Sequence, residues 1–390
     1  MLATLPRAGR RALTTASLVA RAPLAPPYAH SARSSLAPPY AQHIDEPAAA
    51  NKLRAPYAFA LSARENAPLP PTPAQWVAAT LKTESGRAWA LGAWKASLAA
   101  LLEQPAALPD IPFQALGSVL ADPAVRDTVA RTGGIVIRDV VRDQLAEAWA
   151  SELASATQLL THAPAAYHHP ALVAARANTS VLSATSQSLR SLVPTATEAP
   201  FIQVDAVSSA PSESTWAAES LWETAETATG PSTPVHAHLA LGRTDLHVPT
   251  SAAAATYALL RPYFAPIRSR ISFYSTAGYL EPANWRLRDT AAVDAELTHV
   301  RPTEVSLAPG DVLVTHAGLR VAPADGAGLV LPVHPLPATP GNKAFVAAQR
   351  AAFEAGLPPP HVNESVVALE EGGDATWIDS VSGRRAMGYN

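Results

Sequence analysis

Apolar positions follow two different rhythms along this chain. From Thr72 to Pro194 they recur at spacings of three and four. Beyond Pro194 they fall in short runs separated by turn residues. The first rhythm predicts helices and the second predicts short strands. Thr72-Pro73-Ala74-Gln75 combines an N-cap, a proline at the first helical position and a capping-box glutamine. Trp76 and Leu81 follow, then Leu91, Trp94, Leu98 and Leu101, so an amphipathic helical pair is expected to end before Pro105. Asp122-Pro123 caps a further helix. Gly133-Gly134 then turns into the buried strand Ile135-Val136-Ile137. Val141, Leu145, Trp149 and Leu153 recur every four residues, which predicts a helix of about five turns. The two glycines lack the GxGxxG spacing of a dinucleotide loop, so this unit reads as ordinary α/β packing.

In the second half, strands are expected at Phe201–Val207, Val235–Leu241, Ile271–Ser275, Glu304–Leu307, Val312–His316 and Gly328–His334. One helix, Ala252–Leu260, interrupts them. Strand density with Gly/Pro punctuation favours a sandwich or barrel. Asn342 is read as the cap of a helix carrying Phe345, Gln349 and Phe353, and the tail from Pro358 onward reads as irregular. The most informative run is Leu307 to His316, where a Pro309-Gly310-Asp311 turn feeds an apolar strand that ends on histidine.

Composition narrows the chemistry. The 390 residues allow one large domain with appendages, or two domains. Charged residues make up 16%, against roughly 25% in typical soluble domains. No apolar run reaches the ~18 residues of a membrane span, and a net charge of −3 gives no case for nucleic acid. With no cysteine, disulfides, thiolate catalysis and Cys-bound zinc or iron–sulfur clusters are excluded. The 25 arginines against four lysines show a compositional bias, so a single arginine carries little functional weight.

The pieces Gly134–Val141 with Trp149, Tyr167–Arg176, Leu259–Phe264, Pro309-Gly310-Asp311, Gln349–Phe353 and Gly383–Gly388 occur in an order that resembles a known family. It is a fungal and bacterial family of unknown function, N-acetylglucosamine-induced in type and placed among clavaminate-synthase-like folds of the Fe(II)/2-oxoglutarate oxygenase kind. The resemblance runs from about Trp89 to the end. It implies an α+β protein with a double-stranded β-helix (jelly-roll, cupin-like) core and flanking helices. The division expected is 1–55 as transit peptide and Pro-rich linker, and 56–390 as the oxygenase-like domain. That domain would comprise a mainly helical part (56–195), the β-helix core (196–340), and a helix with its tail (341–390).

Fe(II) chemistry of this kind needs two histidines and a carboxylate on one face, with open positions for co-substrate and oxygen. The resemblance puts Gln203-Val204-Asp205 in the His-x-Asp place, so Asp205 survives and Gln203 replaces a histidine. His316 falls on the first histidine of the later family strand and Val321 on the second, which would be the distal ligand. His236 and His238 alternate on one strand face and can chelate a metal, although a solvent-facing polar edge is the plainer reading. His247 and His334 read as lone structural histidines, and His168-His169 are assigned no role. Arg320 could pair with a 2-oxoglutarate carboxylate. Fe(II) and 2-oxoglutarate are thus implied by the resemblance and undercut by the residues.

Three functions compete. One is an active hydroxylase of a small molecule using rearranged histidines. The second is a degenerate relative that has lost metal chemistry and keeps a small-molecule pocket. The third is a non-catalytic interaction protein. A carboxylate left unliganded in a cavity gives a further expectation, that Asp205→Ala leaves stability unchanged or slightly raised.

Before Asp45 there are five arginines and no acid, and Leu24–Ala29 repeats as Leu36–Ala41. This is the profile of a mitochondrial transit peptide followed by a Pro-rich linker. Residues 1–45 are therefore expected to be dispensable for folding and to carry a fused fluorescent reporter into mitochondria. A diffuse cytosolic signal would refute the targeting assignment.

Overall fold

The computed structural model describes residues 73–103, 107–155, 165–192, 196, 198–205, 233–267, 275–292, 300, 302–319, 321–324, 328–361 and 372–389. The N-terminal helical pair is α1 (Pro73–Thr80) and α2 (Glu84–Leu102), with the Thr83 hydroxyl capping α2 by accepting from the Gly86 amide. Strand β1 (Asp110–Pro112), helices α3 (Leu116–Ala121) and α4 (Pro123–Thr132), strand β2 (Gly134–Arg138) and helix α5 (Asp143–Ser155) follow. Three helices then run in succession, α6 (Ala165–His168), α7 (Pro170–Arg176) and α8 (Thr179–Leu192).

Strands dominate the next stretch. They are β3 (Phe201–Ile202), β4 (Val235–Ala240), β5 (Thr244–Pro249), β6 (Phe264–Pro266), β7 (Trp285–Leu287), β8 (Pro302–Leu307), β9 (Val312–His316), β10 (Ala322–Pro323), β11 (Val330–Pro332) and β12 (Pro335–Leu336). Helices α9 (Ala253–Leu260) and α10 (Thr276–Tyr279) lie among them, and α11 (Pro340–Glu354) and α12 (Val381–Ala386) close the chain.

The main sheet has the order β1-β2-β9-β4-β11, parallel between β1 and β2 and antiparallel elsewhere. Strand alternation sends Ile135, Ile137, Val312, Val314, Val235, Ala237, Leu239 and Leu331 into one core with the helical layer, among them Leu116, Trp149, Leu172 and Leu189. The opposite face carries Val136, Leu313, Ala240 and Val330. These pack on Leu246, Val248, Val305 and Leu307 of a second sheet, β10-β5-β8. Helices, sheet and sheet therefore form three layers. A separate aromatic core holds α1, α2 and α9 to the β6–β7 ribbon. There Trp94 stacks on Phe264 (4.3 Å between centroids) and on Tyr257 (5.3 Å).

The α+β class stands. The described strands form four sheets and do not close into a barrel. Val312–His316 and the helix with Phe345, Gln349 and Phe353 fall where the apolar pattern puts them, with Thr339 rather than Asn342 as the cap. Helix α5 has 13 residues, short of five turns. Only Phe201–Ile202 of the first predicted strand is paired, and 271–274 lie outside the described residues. Helix α8 went unpredicted although its buried positions recur at helical spacing, because half of its residues are Ser or Thr, which favour caps and turns.

The Pro-Gly-Asp corner is held by a buried carboxylate. Asp311 Oδ2 accepts from Arg138 Nη1 (2.6 Å) and the Ala308 amide (2.8 Å), and Oδ1 accepts from the Asp139 amide (3.0 Å). Arg138 bridges on to Asp110, so one guanidinium ties β1, β2 and the corner together. The same network holds Asp139 at φ 57, a left-handed conformation that non-glycine residues rarely adopt. Gly310 sits at φ 85, where an added Cβ would come within 2.0 Å of the Val141 carbonyl. Asp311→Ala is expected to lower unfolding free energy by about 3 kcal/mol, because it removes the buried charge partner of Arg138 and strands two amides. Urea unfolding measures this, and a loss below about 1 kcal/mol would show that the corner does not depend on the carboxylate.

Candidate functional site

The inner face of the main sheet changes character along its length. On β4, Ala240 belongs to the apolar inter-sheet core, whereas His238 and His236 on the same face do not. All six residues of β4 are buried, so the solvent-facing reading of His236 and His238 is wrong: the sheet is covered on both faces. Beyond β11, His334 joins them. Its ring stacks on His236 (centroids 4.3 Å, 27° between planes) and meets His238 edge-on at 5.2 Å. Three buried imidazoles thus pack against one another.

Asp205 lies just past β3 at the border of this cluster, its side chain 15% exposed. Main-chain bonds fix the approach. The Gln203 amide donates to the His334 carbonyl (3.0 Å), and Gln349 of α11 clamps the segment by donating to Ile202 O (3.0 Å) and accepting from the Val204 amide (2.9 Å). The Asp205 carboxylate accepts from Gln203 Nε2 (3.0 Å) and from His361 Nε2 (2.6 Å), and His334 Nε2 lies 3.8 Å away. Buried Arg176 donates to the main-chain carbonyls of Asp205 and Tyr167. Burial alone would push the Asp205 carboxyl up. The His361 charge and hydrogen bond, with His334 and Arg176, outweigh it and hold the group well below the usual carboxylate range.

The histidines respond oppositely. Burial holds His334 down to about 4 and His238 down to about 3. Burial, reinforced by His334, His238 and His316, holds His236 well below its ordinary value. These rings are neutral at pH 7, and geometry fixes the tautomers of His334 and of nearby His316. The Ala237 amide donates to His334 Nδ1 (3.1 Å), and the Gly318 amide donates to His316 Nδ1 (3.0 Å). An amide N–H can only donate, so in both rings Nδ1 is the acceptor and the single proton sits on Nε2.

That assignment bears directly on metal binding. A metal-ligating imidazole offers a lone pair on one nitrogen and donates N–H from the other. In His316 and His334 the one lone pair sits on Nδ1 and is already engaged by a backbone amide, with the proton on Nε2. Gln203, expected to supply a weak carbonyl ligand, instead turns its amide nitrogen onto Asp205, since an ionised carboxylate only accepts. Among the described residues, no group of three or more His, Asp or Glu is arranged to hold a metal ion. Gln203, His316 and His334 therefore do not fit as Fe(II) ligands in this arrangement. Arg320 lies outside the described residues.

Of the residues named from the sequence, the structure packs His236 and His238 with His334 and pairs Gln203 with Asp205. Sequence reasoning set His334 aside and missed His361 and Arg176. His361 follows Pro358-Pro359-Pro360 in what read as an irregular tail, yet Leu357–Pro360 are buried and His168 Nε2 meets the Leu357 carbonyl at 2.7 Å. A proline run that ends on histidine was the available signal.

No family model and no curated protein matches the chain. Solved structures do. GlcNAc Inducible Gene 2, GIG2 (DUF1479), from Candida albicans superposes with TM-score 0.57 at 14% identity, covering 82% of this chain and 90% of that one. The hypothetical protein JW0805 from Escherichia coli gives TM-score 0.52 at 16% identity, covering 88% and 98%. These likenesses show that the chain shares a fold with GIG2 and with a hypothetical bacterial protein over more than four-fifths of its length.

Proposed function

We propose that this chain is a degenerate member of the clavaminate-synthase-like group. On this reading the oxygenase centre has been rebuilt as a hydrogen-bonded carboxylate–histidine cluster without Fe(II)/2-oxoglutarate chemistry. The observation that carries it is the Asp205 carboxylate, engaged by Gln203 and His361 where an iron site would leave it bare. The layering supports descent from a double-stranded β-helix. A five-stranded sheet faces a three-stranded one, and its polar end carries the histidines, adjoining β12, which pairs with β3.

Purified protein is expected to contain substoichiometric iron and to leave 2-oxoglutarate unconsumed. Stoichiometric iron that disappears in Asp205→Ala would instead support the rearranged-histidine hydroxylase. The same variant corrects the stability expectation drawn from the sequence. Asp205 is partnered, so removing it strands the Gln203 and His361 donors, and a loss of about 2–4 kcal/mol is expected. Unchanged stability in chemical denaturation would show that the cluster is not held by this carboxylate.

Neutral buried histidines also fix a pH dependence. Their folded values lie below the ordinary 6.5, so the unfolded chain binds protons that the folded one refuses. Stability is full above pH 6.5 and falls as pH drops toward 4, by up to about 1.4 kcal/mol per pH unit for each such histidine. Asp205 adds its own loss only below the ordinary carboxylate value. Urea unfolding from pH 7 to 4.5 tests this, and His238→Asn should flatten the slope. A flat profile in the wild type would overturn the neutral cluster.

A further inference from the structure

Away from the histidine cluster, the outer side of the β6–β7 ribbon forms a cavity of about 430 Å³ lined by Ala265, Pro266, Ile267, Arg286 and Arg288. That volume lies within the range of small-molecule sites. The platform under it is rigid. Phe264 and Trp285 anchor the ribbon in the aromatic core around Trp94, and Arg261 lies over the Trp285 ring at 4.7 Å. Ala265 pairs with Arg286 in register. The Ile267 amide donates to Asn284 O (2.8 Å) and the Arg288 amide to Tyr263 O (2.7 Å), so the backbone beneath both arginines is fixed.

Alternation puts Arg286 and Arg288 on one side of the strand, with Leu287 packed inward against the aromatic core. Their Cα atoms are about 6.6 Å apart at the rise of an extended chain. Partnership separates them from most arginines here. Arg87, Arg138 and Arg350 are in ion pairs, and Arg190, Arg261 and Arg384 hydrogen-bond to other groups. Neither the Arg286 nor the Arg288 guanidinium makes a hydrogen bond or ion pair with the described residues, and both are exposed. The neighbouring Asp289 is held by Arg87 at 2.7 Å and does not neutralise them.

We propose that this cavity is a binding site for a phosphate monoester with an apolar body. Two planar guanidiniums that share a strand side can both reach one phosphoryl group, each presenting paired N–H donors to its oxygens. The floor of Ala265, Pro266 and Ile267 takes the ester's hydrocarbon. The site rests on no feature of the histidine cluster, so its failure leaves the assignment of that cluster untouched.

Isothermal titration of the full chain with phenyl phosphate and with inorganic phosphate, at fixed ionic strength, tests it. Saturable 1:1 binding is expected, tighter for phenyl phosphate. It should weaken about tenfold or more in Arg286→Gln and in Arg288→Gln, the range for loss of a charged hydrogen bond. Both arginines are exposed, so the variants should keep the wild-type melting temperature. Arg286→Lys/Arg288→Lys, which keeps the charge and loses the fork, should also bind more weakly. Absence of saturable binding, equal affinity in the double Gln variant, or no preference for the phenyl ester would each overturn the proposal.

Discussion

A carboxylate that leaves water must find donors, and Asp205 collects them from separate parts of the chain. Gln203 comes from its own strand end and His361 from the segment after α11, and His334, at the β11–β12 junction, stands just beyond. Satisfying one buried anion in this way draws the C-terminal segment onto the edge of the sheet. Leu357 to Pro360 are buried along the approach, and Gln349 grips the backbone on both sides of Gln203. Arg176 adds the helical layer by bonding to the Asp205 carbonyl. Helices, sheet edge and tail thus meet at a single residue.

The histidines beside it obey the opposite constraint. Charging any one of His236, His238 or His334 in this interior costs desolvation and repels its neighbours, so the three coexist only as neutral rings. Neutrality then makes the tautomer consequential. The backbone chooses it: amides at Ala237 and Gly318 take the Nδ1 lone pairs of His334 and His316. His334 and His316 therefore keep their Nδ1 lone pairs on the backbone and present N–H donors at Nε2.

Much of this was legible where a periodicity or a turn dictates structure. The Pro309-Gly310-Asp311 corner, the strand ending at His316 and the α11 face with Gln349 all follow from local pattern. Asp205 and Gln203 were found through a resemblance, and their partnership was not, because hydrogen bonding between i and i+2 side chains leaves no trace in spacing. His361 was invisible for a different reason. Its role comes from a contact 156 positions away, made by a segment whose burial depends on prolines that carry no helical or strand period. The burial of β4 on both faces was likewise a tertiary fact, since Val-His-Ala-His-Leu alternates as a half-exposed strand would.

On the reading proposed above, the departure from the oxygenase pattern goes beyond two ligands. Restoring a histidine at position 203 would return an imidazole beside Asp205 but remove the amide that now donates to it. His361 would still occupy the carboxylate at 2.6 Å. His334 and His316 would still have their Nδ1 lone pairs engaged by the backbone, and no side-chain substitution removes a main-chain amide. Val321, in the place of the distal ligand, packs against the apolar inter-sheet core, so a histidine there would have to displace part of that packing. Each of these features stabilises the fold through a hydrogen bond or a buried contact. On that reading a metal would have to compete with all of them together.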